Sequence, residues 1–71
     1  MVLCEVWDED GGSVNARFGI VPHVGEEIEI LADGVTRVRR KVLRVRHIAL
    51  NLDEGSERPR VQLWTENADR T

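Results

Sequence analysis

The side chains best equipped for chemistry are one thiol (Cys4), two imidazoles (His23 and His47), two indoles (Trp7 and Trp64) and a dense run of guanidiniums. A structural zinc site takes about four ligands and favours sulfur. Cys4, His23 and His47 are the only thiol and imidazoles, and no two of them have ligand spacing, so no metal is expected. Cys4 with either histidine could form a thiol–imidazole nucleophile. Nothing in the sequence orients the base, and no glycine-rich turn offers an oxyanion hole. The expectation is a non-enzymatic chain with no catalytic residue and no cofactor. Cys4 reads as a small core residue, His23 beside Pro22 as an exposed turn residue, and His47 as half-buried near a strand end. Asp8-Glu9-Asp10-Gly11-Gly12 opens like a calcium loop but lacks the distant bidentate Glu that completes one. It reads as an acidic, solvated hairpin tip, as does Asp53-Glu54-Gly55-Ser56-Glu57.

The guanidiniums are the most conspicuous group. Apart from Arg17 and Arg70, every base lies between Arg37 and Arg60. Against phosphate, Arg40, Lys41, Arg44, Arg46, Arg58 and Arg60 would form a basic stripe, with Trp7 or Trp64 as a stacking platform. The plainer reading pairs Glu27 and Glu29 with Arg39 and Arg37 across neighbouring strands, where exposed pairs contribute roughly 0.2–1 kcal/mol each. That leaves Arg40, Lys41, Arg44 and Arg46 without assigned partners. Trp7 and Trp64 fall on the outward parity of their strands. If strands one and five meet, the two indoles and Leu3 form one apolar patch, the kind of surface that marks an interface.

Composition narrows the classes. At 71 residues there is one domain at most, spanning 1–71 and reading as a complete small protein. The 13 acids and 10 bases give a net charge of −3, which disfavours nucleic acid or a membrane surface as the first partner. No apolar stretch approaches the roughly 20 residues of a membrane span, and no signal-peptide pattern opens the chain. With a single cysteine, no internal disulfide can form. A cytoplasmic location is expected.

The elements that must carry these groups are strands. Alternation recurs with Gly, Pro, Asp or Asn between the runs, and no window holds a helical period. Val2 to Trp7 and Val14 to Val21 are expected to pair with Cys4 opposite Phe18, Val6 opposite Ala16 and Glu5 opposite Arg17. Pro22 ends the second strand. Glu26 to Leu31 and the run from Val35 form a hairpin over a three-residue Ala32-Asp33-Gly34 loop. That register puts Leu31 opposite Val35, Ile28 opposite Val38, Glu29 opposite Arg37 and Glu27 opposite Arg39. The run Val35 to Leu50 changes its inward parity from Val38 to Leu43, Val45 and His47. A bulge near Arg40-Lys41 is expected to repair this and bend the strand. Asn51 to Pro59 is a polar loop. Val61 to Glu66 is the fifth strand, with Val61, Leu63 and Thr65 on one face and Gln62, Trp64 and Glu66 on the other. Residues 67–71 form a frayed tail.

Five short strands with a bent fourth one and no helix predict an all-β fold, a small five-stranded antiparallel barrel of SH3-like type. The stretch Pro22-His23-Val24-Gly25-Glu26-Glu27-Ile28-Glu29-Ile30, followed by Val42-Leu43-Arg44-Val45-Arg46-His47-Ile48, resembles a strand–turn–strand pattern of small bacterial SH3-like barrels. It is also similar to the β-barrel second domain of translation factors. The resemblance covers less than half the chain and implies a fold. The GTPase domain that accompanies the translation-factor barrel is not in this sequence, so no activity carries over.

The function expected from these residues is a protein-binding or adaptor module, an accessory subunit or phage-derived modulator. It would hold another protein or a second copy of itself through Trp7, Trp64, Arg44 and Arg46. A nucleic-acid-binding barrel using the Arg37–Arg60 segment is the alternative.

Overall fold

The computed structural model describes residues 1–48 and 58–69. Five strands follow the five alternating runs: β1 (Val2–Trp7), β2 (Ser13–Phe18), β3 (Glu27–Leu31), β4 (Arg37–His47) and β5 (Val61–Asn67). They form one curled half-barrel sheet in the order β2-β1-β5-β4-β3. The all-β expectation holds, but the sheet is mixed, not antiparallel throughout, because β1 and β5 run parallel. The cause is topological. Hairpin reasoning sees only chain neighbours, whereas here residues 19–26 carry the chain from one edge strand to the other. β5 then turns back along β4 and lies beside β1 in the same direction.

The inner face holds Cys4, Val6, Ile28, Ile30, Val42, Val61 and Leu63, all buried. Val14, Ala16, Phe18, Val38 and Val45 pack around them, half-buried. The alternation therefore assigns the faces correctly on β1, β2, β3 and β5. Both hairpin registers, however, sit two residues from those expected, a shift that leaves each side chain on its own face.

In the first hairpin Val2 lies opposite Phe18, Cys4 opposite Ala16 and Val6 opposite Val14. Glu5 therefore faces Asn15, and Arg17 faces Leu3. The turn chemistry decides this. The Asp8 N–H donates to the Gly12 carbonyl at 2.9 Å. Asp8 Oδ1 accepts from the Asp10 and Gly12 N–H groups at 2.9 Å each. Gly11 takes the positive φ (86°) that closes the loop.

The second hairpin pairs Leu31 with Arg37, Ile30 with Val38, Glu29 with Arg39, Ile28 with Arg40 and Glu27 with Lys41. The loop is Ala32–Thr36, not Ala32–Gly34. Asp33 Oδ1 accepts from the Val35 and Thr36 N–H groups at 2.9 and 2.6 Å, and Oδ2 accepts from the Thr36 hydroxyl at 3.0 Å. Those bonds divert the Val35 and Thr36 N–H groups into the loop, which the Ala32 N–H closes on the Thr36 carbonyl at 2.9 Å. Glu29 and Arg37 remain paired at 3.3 Å, on the diagonal.

The bulge lies between Val42 and Arg44, with Leu43 as the extra residue. Placed at Arg40-Lys41, it would have turned Val42 outward. Instead Val42 is completely buried and Leu43 is 48% exposed. Arg40 stays on the inner face, where its guanidinium finds partners. His47 is exposed at the end of the strand, not half-buried. Asn67 to Asp69, expected in a frayed tail, are tied down: Asn67 N–H donates to Glu9 Oε2 and Ala68 N–H to the Arg39 carbonyl, each at 2.9 Å. The expected acidic loop Asp53–Glu57 and most of Asn51–Pro59 lie outside the described residues. Among the described residues, no helix is long and apolar enough to cross a membrane.

Candidate functional site

Strand alternation sends Leu3, Glu5 and Trp7 of β1 to the outer face, together with Gln62 and Trp64 of β5. The parallel β1–β5 pair sets Trp7 directly opposite Trp64 and Glu5 opposite Gln62. Beyond the bulge, β4 adds Arg44 opposite Trp64 and Arg46 opposite Gln62. Two rows result across three strands: Arg44, Trp64, Trp7 and, below it, Arg46, Gln62, Glu5. Leu3 stands one level further, and its carbonyl accepts from the Arg60 N–H at 2.9 Å just before β5. Both indoles are half-buried.

The rows brace one another. The Arg44 guanidinium carbon sits 5.0 Å from the centroid of the Trp64 ring, within cation–π range. Glu5 Oε1 accepts from the Trp7 indole N–H at 2.7 Å and from the Gln62 amide at 3.0 Å. The one carboxylate within these rows is therefore committed to holding an indole and an amide.

Charge divides along β4. On one side of the bulge, Lys41 lies in register between Glu27 and Glu66, and Arg39 lies opposite Glu29. Arg37 reaches Glu29 as well. On the other side, Arg44 and Arg46 face Trp64 and Gln62, both neutral. Among the described residues neither has an ion-pair partner.

Comparison with protein-family models, curated proteins and solved structures gives no match. The four residues picked from the sequence as an interface (Trp7, Trp64, Arg44, Arg46) stand together on the outer face. Of the basic stripe, Arg44 and Arg46 share it, Lys41 lies among acids, and Arg58 and Arg60 are exposed just before β5. Arg40 is elsewhere. Its side chain is 11% exposed, with Nε donating to Thr65 Oγ1 at 3.1 Å, and Nη2 to the Thr65 carbonyl at 3.3 Å and to Glu9 Oε1 at 2.5 Å. Thr65 in turn donates its hydroxyl to the Trp7 carbonyl at 2.8 Å.

Sequence reasoning missed Glu5 and Gln62 as braces of the tryptophan row, and Glu9 as more than an acidic tip. Their partners lie across the sheet, so no local pattern marks them. Hydrogen bonds from the Arg40 side chain and the Asn67 N–H hold the Glu9 carboxyl at about 2, below its ordinary 4.5. On the inner side, a cavity of about 120 Å³ opens between the unpaired edges β2 and β3, bordered by Val6, Val14, Ile30, Val38 and Arg40. Cys4 is buried beneath the sheet, and burial pushes its thiol up. Among the described residues, no group of three or more His, Cys, Asp or Glu is placed to hold a metal ion.

Proposed function

We propose that this chain is a non-enzymatic binding module that holds another protein against the outer face centred on Trp7 and Trp64. The observation that carries this reading is the direct pairing of the two indoles across β1 and β5, with Arg44 laid over Trp64. Trp and Arg are enriched among the residues that dominate interface energetics, and interface cores are depleted in Lys and acids. The face largely follows that composition: Glu5 already accepts from internal donors, and Glu66, at its margin, lies in register with Lys41. The SH3-like architecture, a cytoplasmic setting and the role of accessory subunit or phage-derived modulator belong to the same proposal. A second copy of the chain is one form the partner can take.

Nucleic acid is the second reading. It is favoured by Arg44 and Arg46 sharing a face with two stackable indoles, with Arg60 exposed at the start of β5. The net charge of −3, the acids around Lys41 and the inward turn of Arg40 weigh against it.

The test is capture from the source lysate with wild type and Trp64→Ala, with and without nuclease. A hot-spot tryptophan contributes about 2 kcal/mol or more, roughly a 30-fold loss of affinity. Trp64→Ala should lose a nuclease-resistant protein partner while its melting transition stays cooperative. Equal loss of folding and binding, or retention of the partner, removes the tryptophan face from consideration. Capture that disappears with nuclease and falls steeply with salt selects the second reading.

A further inference from the structure

We infer that the segment docking on this face is acidic, with carboxylates at Arg44 and Arg46 and an apolar side chain across the indoles of Trp7 and Trp64. This rests on the reading of the face as a protein contact and adds the chemistry of the partner. β4 disposes of most of its charges within the sheet. Arg37, Arg39 and Lys41 each lie beside Glu29, Glu27 or Glu66, and Arg40 is held by Glu9 and Thr65. Arg44 and Arg46 are the strand's remaining bases, and their in-register neighbours are an indole and an amide. Glu5 makes no ion pair with either among the described residues, because β5 stands between it and β4, with Gln62 in register between Glu5 and Arg46.

The cation–π contact with Trp64 prepares Arg44 for such a ligand. A guanidinium held at an aromatic ring face by its charge does not use its N–H donors there. The fork of those donors matches a carboxylate with two hydrogen bonds, and the restrained side chain loses less freedom on binding. A continuous polyanion fits less well. Glu66 and Glu5 bracket the Trp7–Trp64 row along the strands, so a phosphate backbone crossing the indoles meets an acid on either side. Discrete carboxylates on a peptide can sit at Arg44 and Arg46 and leave those two positions uncharged. Across the Arg44–Trp64–Trp7 row the partition also gives polarity: acids of the docked segment lie toward β4 and its apolar residue lies over the indoles.

The experiment uses the full chain, immobilised, and a phage library of random short peptides. Counter-selection on Trp64→Ala removes peptides that do not use this face. The surviving peptides should carry an excess of Asp and Glu beside an aromatic or aliphatic residue. Arg44→Gln/Arg46→Gln should weaken them about tenfold or more, while melting stays cooperative and falls by no more than about 8 °C, the share of the lost cation–π contact. Enriched peptides without an acid excess, or acidic peptides indifferent to the double variant, overturn the inference and leave the protein-contact reading standing. Absence of any enrichment over Trp64→Ala overturns both. Tight binding of a short oligothymidylate in that case assigns the face to nucleic acid.

Discussion

Arg40→Met tests the part of the structure that departs furthest from a surface stripe of arginines. The substitution keeps the length and most of the apolar stem and removes the guanidinium. Two hydrogen bonds to Thr65 are lost, at 3.1 Å to its hydroxyl and 3.3 Å to its carbonyl. A hydrogen bond to a charged group contributes roughly 1.5–3 kcal/mol, and these lengths argue for the lower end, so the pair amounts to about 3 kcal/mol. The contact with half-exposed Glu9 is screened by water and adds little. At roughly 0.05–0.15 kcal/mol per residue, the whole chain is stable by about 4–10 kcal/mol. The substitution therefore removes a third or more of the margin and should lower the melting temperature by on the order of 10–20 °C. Thermal unfolding followed by tryptophan fluorescence and by circular dichroism gives the number. Below that transition, binding through the outer face should be unchanged, because Arg40 is not on it. A melting shift under about 3 °C would refute the inward placement, and a loss of ligand affinity in the folded variant would return Arg40 to the surface.

Acid unfolding should show the Glu9 tie. Its carboxyl is lowered from 4.5 to about 2 in the folded chain, so the folded state binds fewer protons, and the stabilisation is complete above pH 4.5. It is lost as pH falls from about 4.5 toward 2, and denaturant titrations across that window should show a smaller pH slope for Glu9→Gln. Asp33 is lowered too, by the Thr36 and Val35 N–H groups and the Thr36 hydroxyl, so part of the slope should survive in that variant. Gly34→Ala should cost about 1–2 kcal/mol in chemical denaturation, since φ is +82° and a methyl there would meet no neighbour. Gly19→Ala, in open space with ordinary φ, should stay within roughly 0.5 kcal/mol of wild type. Leu63→Ala removes a fully buried side chain and should cost about 2–5 kcal/mol, bringing the chain to the edge of unfolding at room temperature.

The strands and their faces were legible because a two-residue period is a local property. Val2, Cys4 and Val6, or Val61, Leu63 and Thr65, can be sorted inward without knowing any partner. The turns were legible as turns, since Asp8–Gly12 and Ala32–Gly34 carry the right residues. Their closures were not. Whether Asp8 and Asp33 turn their carboxylates onto nearby N–H groups decides how many residues the loop consumes, and composition alone leaves several lengths open. Each hairpin therefore came out two residues from its expected register with its faces intact. The bulge shows the same limit in another form. Alternation required one between Val38 and Val45, but only the competition between Val42 and Leu43 for the core placed it at Leu43.

The sequence by itself determined that this chain folds as short strands with an apolar side and a charged side, and that Trp7, Trp64, Arg44 and Arg46 point away from the core. Side-chain parity and turn residues suffice for that. Only the tertiary structure decided that β1 lies parallel to β5, which makes neighbours of two indoles 57 positions apart in the chain. It also decided that Arg40 turns inward to Thr65 and Glu9. Both outcomes depend on which strands share an edge, a choice made by burial across the whole sheet and not by any one segment.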